Sequence, residues 1–547
     1  MRAPLLGSRS FMTWNRIPCA WLLASALTVI GCTSSPTEPD EPDASTPDAS
    51  TGEEWDGSYV PLEETGNNWP DTGPFASCTF TVSSGAPCPD DFSLFDLSAC
   101  NRESLANAST EGMFMLTTRT NRSTPTFSAN TLRLSSDGGT QYLGDKPILE
   151  QASDGNARLY AVESNFVDGT PRRTMLATCE APQAPEFTGC YATCLRGKVS
   201  QLSTFKSQRM AWRAGESEAS GLELVSENFV DIGRPVDVYV TKGHAYVVSI
   251  SDTDSVSGKE VGGGLTVFNV SDKAAPVKVK TIRLETDNYW NGVWAKGDVL
   301  YVASADRGVL VFDIRNPADP QLVLNLPGGN ENVHTVFVDG NRLYASASAA
   351  VILFDITDPL HPVEINRYSY NGASPHDMFA RGDRLYVSTY DQGFVVADVS
   401  NPSDIRTLGQ YTYPSQFSHH NAVGTFGGRT IAFEGGEGPG EHLRVLDITD
   451  PAHIVKIGEF KLRPEYSIHN MVLVGKKLYI AWYQEGVRVL DVSNPTKPTQ
   501  VAYYNTYRDS EADTGDYFSW TFGIRVPGDG FIYAADSLRG LLILREK

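Results

Sequence analysis

A short segment recurs through the C-terminal part of the chain, at intervals of about 40 to 55 residues. Each full copy has a run of mostly aliphatic residues, usually after a glycine, then an aspartate or asparagine and a polar turn that usually ends in proline. The copies begin at Gly264, Gly308, Val351, Gly393, Leu443 and Gly486, and a shortened copy begins at Gly540. A chain that repeats at this period folds as a solenoid, a propeller or an array.

The rest of the repeat unit is also typical of β-strands. An aromatic residue after an apolar one precedes each copy, at Tyr246, Tyr301, Tyr344, Tyr386, Phe433, Tyr479 and Tyr533. Another short apolar run begins about ten residues before most of these aromatics, and a more polar strand follows each proline turn. Four antiparallel strands that become more polar along the chain are typical of a propeller blade, counted outward from the central channel.

The strand count predicts how the ring closes. Seven copies of the first three strands are present, but only six outer strands follow them. Residues 222–230, before the first blade, have the pattern of the missing outer strand. We therefore expect an all-β fold in which residues 218–547 form a seven-bladed β-propeller with Velcro-type closure, so that no sheet edge stays unpaired.

The copies resemble the LVIVD repeat, a propeller-forming repeat of bacterial and archaeal cell-surface proteins. The residues that carry the resemblance are the glycine, the aliphatic run, the aspartate and the Ser/Thr-Asn/Asp-Pro turn, over roughly the last 60% of the chain. The resemblance implies a propeller fold and a cell-surface location. It implies no shared chemistry, because a fold by itself does not specify a function.

The N-terminal residues indicate export. Residues 1–31 combine three arginines with an apolar run too short to span a bilayer, which is typical of a signal peptide. The sequence Val29-Ile30-Gly31-Cys32 resembles a lipoprotein cleavage site, which makes Cys32 the predicted lipidation site; a plain secretory signal is the alternative. Thr33 in the next position favours the outer membrane by the same resemblance. Residues 32–55 are acidic and rich in Ser, Thr and Pro, so we expect a disordered tether.

Residues 56–215 are predicted to form a small β-rich domain with disulfides. This region contains Cys78, Cys88, Cys100, Cys179, Cys190 and Cys194, whereas the propeller region contains no cysteine. Six cysteines in an exported chain indicate up to three disulfides, with fifteen possible pairings. A metal site at Cys190 and Cys194 is the alternative, but the region contains no histidine and no second close cysteine pair.

Histidines recur at one position of the repeat. When the blades are aligned on their aromatic marker, His334, His376, His420 and His469 fall where four consecutive blades enter their innermost strands, and Trp520 falls there in the last blade. Several converging imidazoles could bind zinc, copper or iron. The alternative is structural, since a histidine at a strand entrance can hydrogen-bond the backbone of a neighbouring blade.

The loops that follow the second strands are candidates for ligand binding, because they differ from blade to blade. The candidate residues are Tyr390, Asp391, Glu434, Glu437, Glu441, His442, Trp482 and Glu485. The glycine-rich segment 434–442 could bind Ca²⁺ or line a pocket. A solvated acidic loop is the alternative, since the regular carboxylate spacing of a calcium loop is missing.

Composition narrows the possible functions. A net charge of −21 argues against nucleic acid as a partner, because phosphate binding depends on clustered Lys and Arg. No catalytic motif of a hydrolase, a phosphate-binding loop or a zinc protease is present. Our leading hypothesis is a lipid-anchored cell-envelope protein whose propeller binds a protein or a surface glycan. The alternative is a metal-dependent enzyme, possibly an oxidoreductase, that uses the predicted histidine site.

Overall fold

The computed structural model describes residues 54–165, 169–253, 260–326, 331–414, 416–509 and 515–547. The predicted signal peptide, Cys32 and nearly all of the predicted tether lie outside these residues. Among the described residues, no helix reaches the length and apolarity that crossing a bilayer requires.

The first folded region is a curled antiparallel sheet of nine strands. A small hairpin, β1 (Thr79–Phe80) and β2 (Phe95–Asp96), and two 3-10 helices, Phe92–Leu94 and Ser104–Asn107, precede it. The strands are β3 (Gly112–Thr120), β4 (Phe127–Leu134), β5 (Tyr142–Leu143), β6 (Lys146–Pro147), β7 (Glu150–Asp154), β8 (Ala157–Asn165), β9 (Pro171–Glu180), β10 (Thr188–Leu195) and β11 (Lys198–Arg209). Their spatial order is β6-β5-β4-β3-β11-β10-β9-β8-β7.

The two edges of this sheet meet, so that it closes into a barrel. Only Ile148 and Leu149 separate β6 from β7, although these strands lie at opposite edges. The Leu149 amide also donates a hydrogen bond of 3.0 Å to the Ala161 carbonyl on β8. Because side chains alternate along a strand, Phe114 and Leu116 pack inside the barrel, whereas Met113 and Met115 pack outside it.

Three disulfides attach the preceding arm to the outer surface of the barrel. The pairs are Cys78–Cys190, Cys88–Cys194 and Cys100–Cys179. The prediction of three disulfides is confirmed, and the pairing that the sequence left open is now assigned. Because each pair joins the arm to β9 or β10, the cysteines fix it over an apolar cluster on that side of the sheet.

The remaining strands form the seven predicted blades. Two short strands come first, β12 (Ala219–Ser220) and β13 (Leu222–Asn228). Blade 1 contains β14 (Arg234–Thr241), β15 (His244–Ile250), β18 (Gly264–Asn269) and β19 (Val277–Ile282), with the hairpin β16 (Asp252–Thr253) and β17 (Glu260–Val261) between its second and third strands. Blade 2 contains β20 (Trp290–Lys296), β21 (Val299–Ser304), β22 (Gly308–Asp313) and β23 (Gln321–Leu326). Blade 3 contains β24 (Val333–Asp339), β25 (Arg342–Ala347), β26 (Ala350–Asp355) and β27 (Val363–Tyr368).

Blades 4 to 7 complete the ring. Blade 4 contains β28 (Asp377–Arg381), β29 (Arg384–Ser388), β30 (Phe394–Asp398) and β31 (Arg406–Tyr411). Blade 5 contains β32 (Ser418–Phe426), β33 (Arg429–Gly436), β34 (Leu443–Asp447) and β35 (Val455–Phe460), with a 3-10 helix at Pro451–His453. Blade 6 contains β36 (Met471–Val474), β37 (Lys477–Trp482), β38 (Gly486–Asp491) and β39 (Thr499–Tyr504), and blade 7 contains β40 (Thr521–Arg525), β41 (Ile532–Asp536) and β42 (Gly540–Glu546).

The closure prediction is confirmed. Strand β13 pairs antiparallel with β42, with Leu222 opposite Glu546 and Asn228 opposite Leu541. The innermost strands contact one another in order around the ring, and β40 of blade 7 contacts β14 of blade 1. Strand β12 adds a fifth strand to blade 6 that the sequence pattern did not predict.

Three buried arginines pair with carboxylates from residues that come before the first blade in the sequence. Arg444, Arg488 and Arg539 lie in or beside the third strands of blades 5, 6 and 7, and their side chains are fully buried. Each forms an ion pair with a carboxylate from outside its own blade repeat: Arg444 with Glu64 at 3.1 Å, Arg488 with Glu216 at 2.9 Å and Arg539 with Glu227 at 2.7 Å. A buried guanidinium requires such partners, because a buried charge without one is strongly destabilising.

Replacing Glu216 with glutamine should therefore destabilise the propeller. Glu216 accepts hydrogen bonds from both terminal nitrogens of Arg488, and removing one partner of a buried pair costs about 3 kcal/mol. The free energy of unfolding, measured by urea denaturation of the full chain, should fall by about that amount. Glu223→Gln is the matched control, because Glu223 pairs with the exposed Arg545 and its loss should cost under about 1 kcal/mol. Equal effects of the two substitutions would contradict this role of Glu216.

Candidate functional site at the mouth of the propeller channel

The innermost strand of most blades begins with a β-bulge at the entrance to the channel. The pairing register shifts by one residue at the start of β14, β20, β24, β32 and β40, which leaves Val236, Asn291, His334, His419 and Phe522 as the extra residues. In blades 4 and 6 the equivalent residues are His376 and His469, whose amides donate to Ser388 and Ala481 on the second strands. A bulge redirects a side chain, and proteins often place one beside a functional site.

Four of these residues bring their imidazoles together in a row. The ring centroids of His334 and His376, of His376 and His419, and of His419 and His469 are each 4.2 Å apart. His419 and His469 are buried, with 2% and 8% of their surfaces exposed. Histidines of blades 3 to 6 therefore line one side of the channel mouth. We call this row the histidine row.

The structure places His419 in the row, where sequence alignment had placed His420. The bulged residue of β32 is His419, one position before His420, and the bulged residue of β40 is Phe522, two positions after Trp520. His420 lies at the next position inward, and its Nε2 is 3.5 Å from an Asp377 carboxylate oxygen. The doublet His419-His420 offered both residues, but spacing alone could not show which one bulges.

A buried carboxylate faces the histidine row. Glu437, from the loop after β33, has one oxygen 3.9 Å from His419 Nε2 and the other 3.8 Å from His469 Nε2. The oxygen on the His469 side, Oε1, accepts a 2.5 Å hydrogen bond from the Tyr483 hydroxyl. One ligand atom each from His376, His419 and Glu437 lie within 4.8 Å of one another. These three side chains could hold a metal ion, and we call them the His-His-Glu set.

Burial determines the charge state of these groups. It lowers the pKa of His334 to about 4 and that of His469 to about 3, and it holds the pKa values of His376 and His419 well below the usual range. Burial also raises the pKa of Glu437 to about 7. The imidazoles are therefore neutral near neutral pH, and a neutral imidazole keeps the lone pair that a metal requires.

Hydrogen bonds occupy the ends of the histidine row and leave its middle open. His469 Nδ1 donates to the Phe522 carbonyl oxygen at 2.6 Å, and His334 Nε2 is 3.1 Å from the side-chain nitrogen of Asn291. In contrast, the buried Nδ1 atoms of His376 and His419 have no hydrogen-bond partner in the part of the chain that the structure describes. Buried polar atoms usually have a partner, so an unsatisfied pair beside a carboxylate is typical of a ligand site.

Aromatic rings surround the histidine row, and two of them have unusual backbone conformations. Tyr390 stacks on His376 with ring centroids 5.3 Å apart, and Tyr483 contacts His469 at 4.7 Å. Their φ angles are 53° and 29°, in a region that side chains larger than glycine rarely adopt. Such strain is found mainly where the surrounding structure holds a residue for a function.

The channel continues inward from the histidine row as a cavity of about 140 Å³. Trp294, Phe337 and Phe379 of blades 2 to 4 form its aromatic wall, with successive centroids 4.4 and 5.2 Å apart. Arg525 lies across the channel with its guanidinium 4.2 Å from the Trp294 ring. Asp377 also lines this cavity, and burial raises the pKa of its carboxyl to about 7. A ligand in this cavity would contact both polar and aromatic groups.

The other loop candidates are structural in their contacts. Glu434 and Glu441 are buried beside Arg444, with oxygens 3.7 and 2.8 Å from its Nη1, so segment 434–442 is neither a solvated loop nor an open calcium site. His442 is fully buried, with its Nε2 3.6 Å from a Glu459 oxygen, and Glu485 pairs with Arg463 and Arg488. Trp482 lies in the core between blades 5 and 6, and Asp391 is exposed. Only Tyr390 and Glu437 of the predicted loop residues reach the histidine row.

Comparison with known proteins identifies the repeat. The LVIVD repeat matches residues 289–326, 374–413 and 468–506, which include His376 and His469. The chain has no significant match among curated protein sequences. Similar solved structures include the computationally designed Ika8 protein, which is 11% identical over 74% of this chain and 98% of that chain, with a TM-score of 0.39. A chain of the Mitotic Checkpoint Complex is 12% identical over 62% of this chain and 99% of that chain, with a TM-score of 0.44. The WD40 repeats of RRP9 are 10% identical over 61% of this chain and 99% of that chain, with a TM-score of 0.46.

Proposed function

Since three LVIVD repeats match this chain and it folds as a seven-bladed β-propeller, we propose that it is a binding module whose ligand at the channel mouth is a transition-metal ion. The observation that carries this proposal is the convergence of His376, His419 and Glu437 on one point. Sequence separation makes this convergence informative, because the three residues come from two different blades and a loop.

The donor set favours particular metals. Two imidazole nitrogens and one carboxylate oxygen suit zinc and divalent iron, whereas Ca²⁺ and Mg²⁺ prefer sites made entirely of oxygen. Tyr483 holds one Glu437 oxygen in place through its hydroxyl, and such a second contact orients a carboxylate ligand. His334 and His469 flank the set, one on each side, with ring centroids 4.2 Å from His376 and His419.

Purified full-length protein should therefore contain about one equivalent of a transition metal by mass spectrometry of the elements. The double substitution His376→Ala/His419→Ala should remove it, because it removes both nitrogen donors. The far-ultraviolet circular dichroism spectrum should stay that of a β-propeller.

The matched control is His361→Ala/His453→Ala. These two histidines are exposed and each pairs with an aspartate in a blade turn, so the control removes the same atoms without touching the site. Metal content should stay at the wild-type value in this variant. A wild-type protein that neither contains nor takes up a transition metal would refute the proposal.

A second candidate function is a metal-dependent enzyme, and the open cavity beneath the histidine row favours it. Structural metal sites are usually closed by four protein ligands, whereas catalytic sites combine three protein ligands with an open position. The His-His-Glu set supplies three, and the channel cavity begins at the same residues. When bound, the metal would act as a Lewis acid or a redox centre for a molecule in the channel.

Cobalt substitution tests whether the site is open. The protein loaded with Co²⁺ should show visible absorption bands that shift when azide is added, because azide can enter only a position that no protein atom occupies. A spectrum unchanged by azide would show a closed site, and would favour the binding module over the enzyme. The His376→Ala/His419→Ala variant should show no such bands.

We also propose that the protein is exported and anchored to the cell envelope, in the outer membrane, through a lipid on Cys32. The sequence Val29-Ile30-Gly31-Cys32 after an apolar run supports this, and so do three disulfides, which persist in oxidising compartments. The acidic tether would then separate the folded regions from the lipid surface. The exposed loops of the propeller would be available to a protein or glycan partner.

Replacing Cys32 with alanine should release the protein from the membrane. The wild-type protein should sediment with membranes, because several acyl chains on one residue anchor a protein stably. The Cys32→Ala variant should appear in the soluble envelope fraction or retain its uncleaved signal. A variant with Cys19→Ala, which changes the other cysteine of the leader, should stay with the membranes; equal fractionation of both variants would contradict lipidation at Cys32.

A further inference from the structure

Two further layers of side chains line the channel inward from the histidine row. The residue one position after each bulge residue belongs to the first layer, and the residue three positions after it belongs to the second, because alternate residues of a strand face the same way. We call the first the polar layer; in blades 1 to 6 it contains Asp237, Gly292, Thr335, Asp377, His420 and Asn470. We call the second the aromatic layer; in blades 2 to 7 it contains Trp294, Phe337, Phe379, Ala422, Val472 and Arg525.

The aromatic layer has rings on one side of the channel and small side chains on the other. The rings of the aromatic wall, from blades 2 to 4, are each only partly buried. Ala422 and Val472 of blades 5 and 6 leave space opposite them. Aromatic rings stabilise a fold most when they are fully buried, so folding alone does not favour three partly exposed rings beside an open space. A flat ring in this space would stack on the wall and complete its burial.

The polar layer supplies hydrogen-bond acceptors without donors. His420 Nε2 is 3.5 Å from an Asp377 oxygen, and a proton on Nε2 leaves the lone pair of Nδ1 free. His420 Nδ1 and Asn470 Oδ1 are buried and have no hydrogen-bond partner in the part of the chain that the structure describes. The two residues belong to neighbouring blades and line the same cavity. A ligand with a hydroxyl group would donate the hydrogen bond that these acceptors lack.

The charges along the channel favour a neutral ligand. Asp237 and Asp377 of the polar layer lie near Arg525, which is the only arginine or lysine among the described residues that line the cavity. The guanidinium also stacks on Tyr239 and Trp294, at 4.7 and 4.2 Å from their ring centroids. An anion would meet the two carboxyl groups and a cation would meet Arg525, so neither gains from the local charge.

We infer that the channel binds a small phenol, with its ring against the aromatic wall and its hydroxyl donating between His420 Nδ1 and Asn470 Oδ1. The two layers are two residues apart along each strand, or about 6.6 Å, so one hydroxyl-bearing ring reaches both. The volume also agrees, because the cavity of about 140 Å³ is close to the size of a cavity of about 150 Å³ that holds one benzene molecule in another protein.

This inference deepens the second candidate function, and it rests on that function for the role of the bound molecule, because the phenol lies beside the His-His-Glu set. Binding itself uses only residues outside the set. Protein from which a chelator has removed all metal should therefore bind phenol. Phenol binding without metal uptake would refute the metal proposal alone, and metal uptake without phenol binding would refute this inference alone.

Isothermal titration of the metal-free full-length protein with phenol, toluene and cyclohexanol tests the inference. Toluene has the shape of phenol without the hydroxyl, and cyclohexanol has the hydroxyl without the flat ring. Phenol should bind at least about 10-fold more tightly than toluene, because only phenol pairs with the buried acceptors. It should bind at least about 3-fold more tightly than cyclohexanol, which cannot stack. No binding of phenol, or equal binding of phenol and toluene, would overturn the inference.

Two variants locate the bound ring. Phe379→Leu should weaken phenol binding several-fold, because it removes one ring of the aromatic wall. Phe229→Leu is the matched control, since Phe229 is 69% exposed and lies outside the channel, and it should bind phenol like the wild type.

Asn470→Leu keeps the shape of the side chain but removes the acceptor. It should weaken phenol binding several-fold and should not weaken toluene binding. Full phenol binding by a folded Phe379→Leu or Asn470→Leu variant would overturn the inference. The comparison of the three ligands uses the wild-type protein, so it decides the question even if a variant fails to fold.

Discussion

The hydrogen-bonded pairing of β13 with β42 is the constraint on which the rest of the propeller depends. Without this pairing, the row of blades would end in two unpaired sheet edges and would have no fixed curvature. With the ring closed, each innermost strand contacts the innermost strands of two other blades. Closure sets the width of the channel. It thereby brings side chains from blades 3 to 6 within contact distance, although up to 135 residues separate them, from His334 to His469.

The histidine row and the buried arginines solve the same physical problem in different ways. Both place polar groups where water is excluded, and both therefore need partners. Arg444 and Arg488 pair with Glu64 and Glu216, which attaches the N-terminal region to the propeller, and Arg539 pairs with Glu227 of the closing strand β13. In the histidine row, the outer imidazoles hydrogen-bond protein atoms, whereas the Nδ1 atoms of the two inner imidazoles have no hydrogen-bond partner among the described residues. The inner pair is therefore the part of the row where polar atoms remain unsatisfied.

Most of the propeller could be predicted from sequence because its signals are local and are copied seven times. The sequence has seven copies of the first three strands but only six outer strands after them, so one outer strand had to come from elsewhere. Residues 222–230 have the pattern of such an outer strand. The sequence pattern placed His334, His376 and His469 at the correct position of the repeat. It chose His420 instead of His419 in blade 5, because a β-bulge changes the pairing register without changing the composition. The ion pairs of the buried arginines join residues 272 to 380 positions apart, and spacing carries no signal at that range.

The barrel was harder to predict for a chemical reason. Its strands β10 and β11 contain many threonines and serines, so the alternation of apolar and polar residues that identifies a strand is weak there. The apolar runs of β3 and β9 are more continuous, which makes them stronger strand signals. The polar residues that weaken the strand pattern of β10 and β11 include Thr193 and Gln201, which line a cavity in the barrel. Strands with polar side chains on their inward face show little alternation of apolar and polar residues. The hydrophobic pattern therefore predicts them poorly.

The pairing of β13 with β42 also has a consequence for the order in which the chain can acquire its fold. Asn228 and Leu541, which meet across these strands, are 313 residues apart, so β13 can pair only after the last strand of the chain has been synthesised. Until that final strand arrives, β13 and the outer edge of blade 7 remain available to other chains. Translocation of the chain in an unfolded state, followed by folding after its last residues have emerged, would shorten the time for which these edges are exposed.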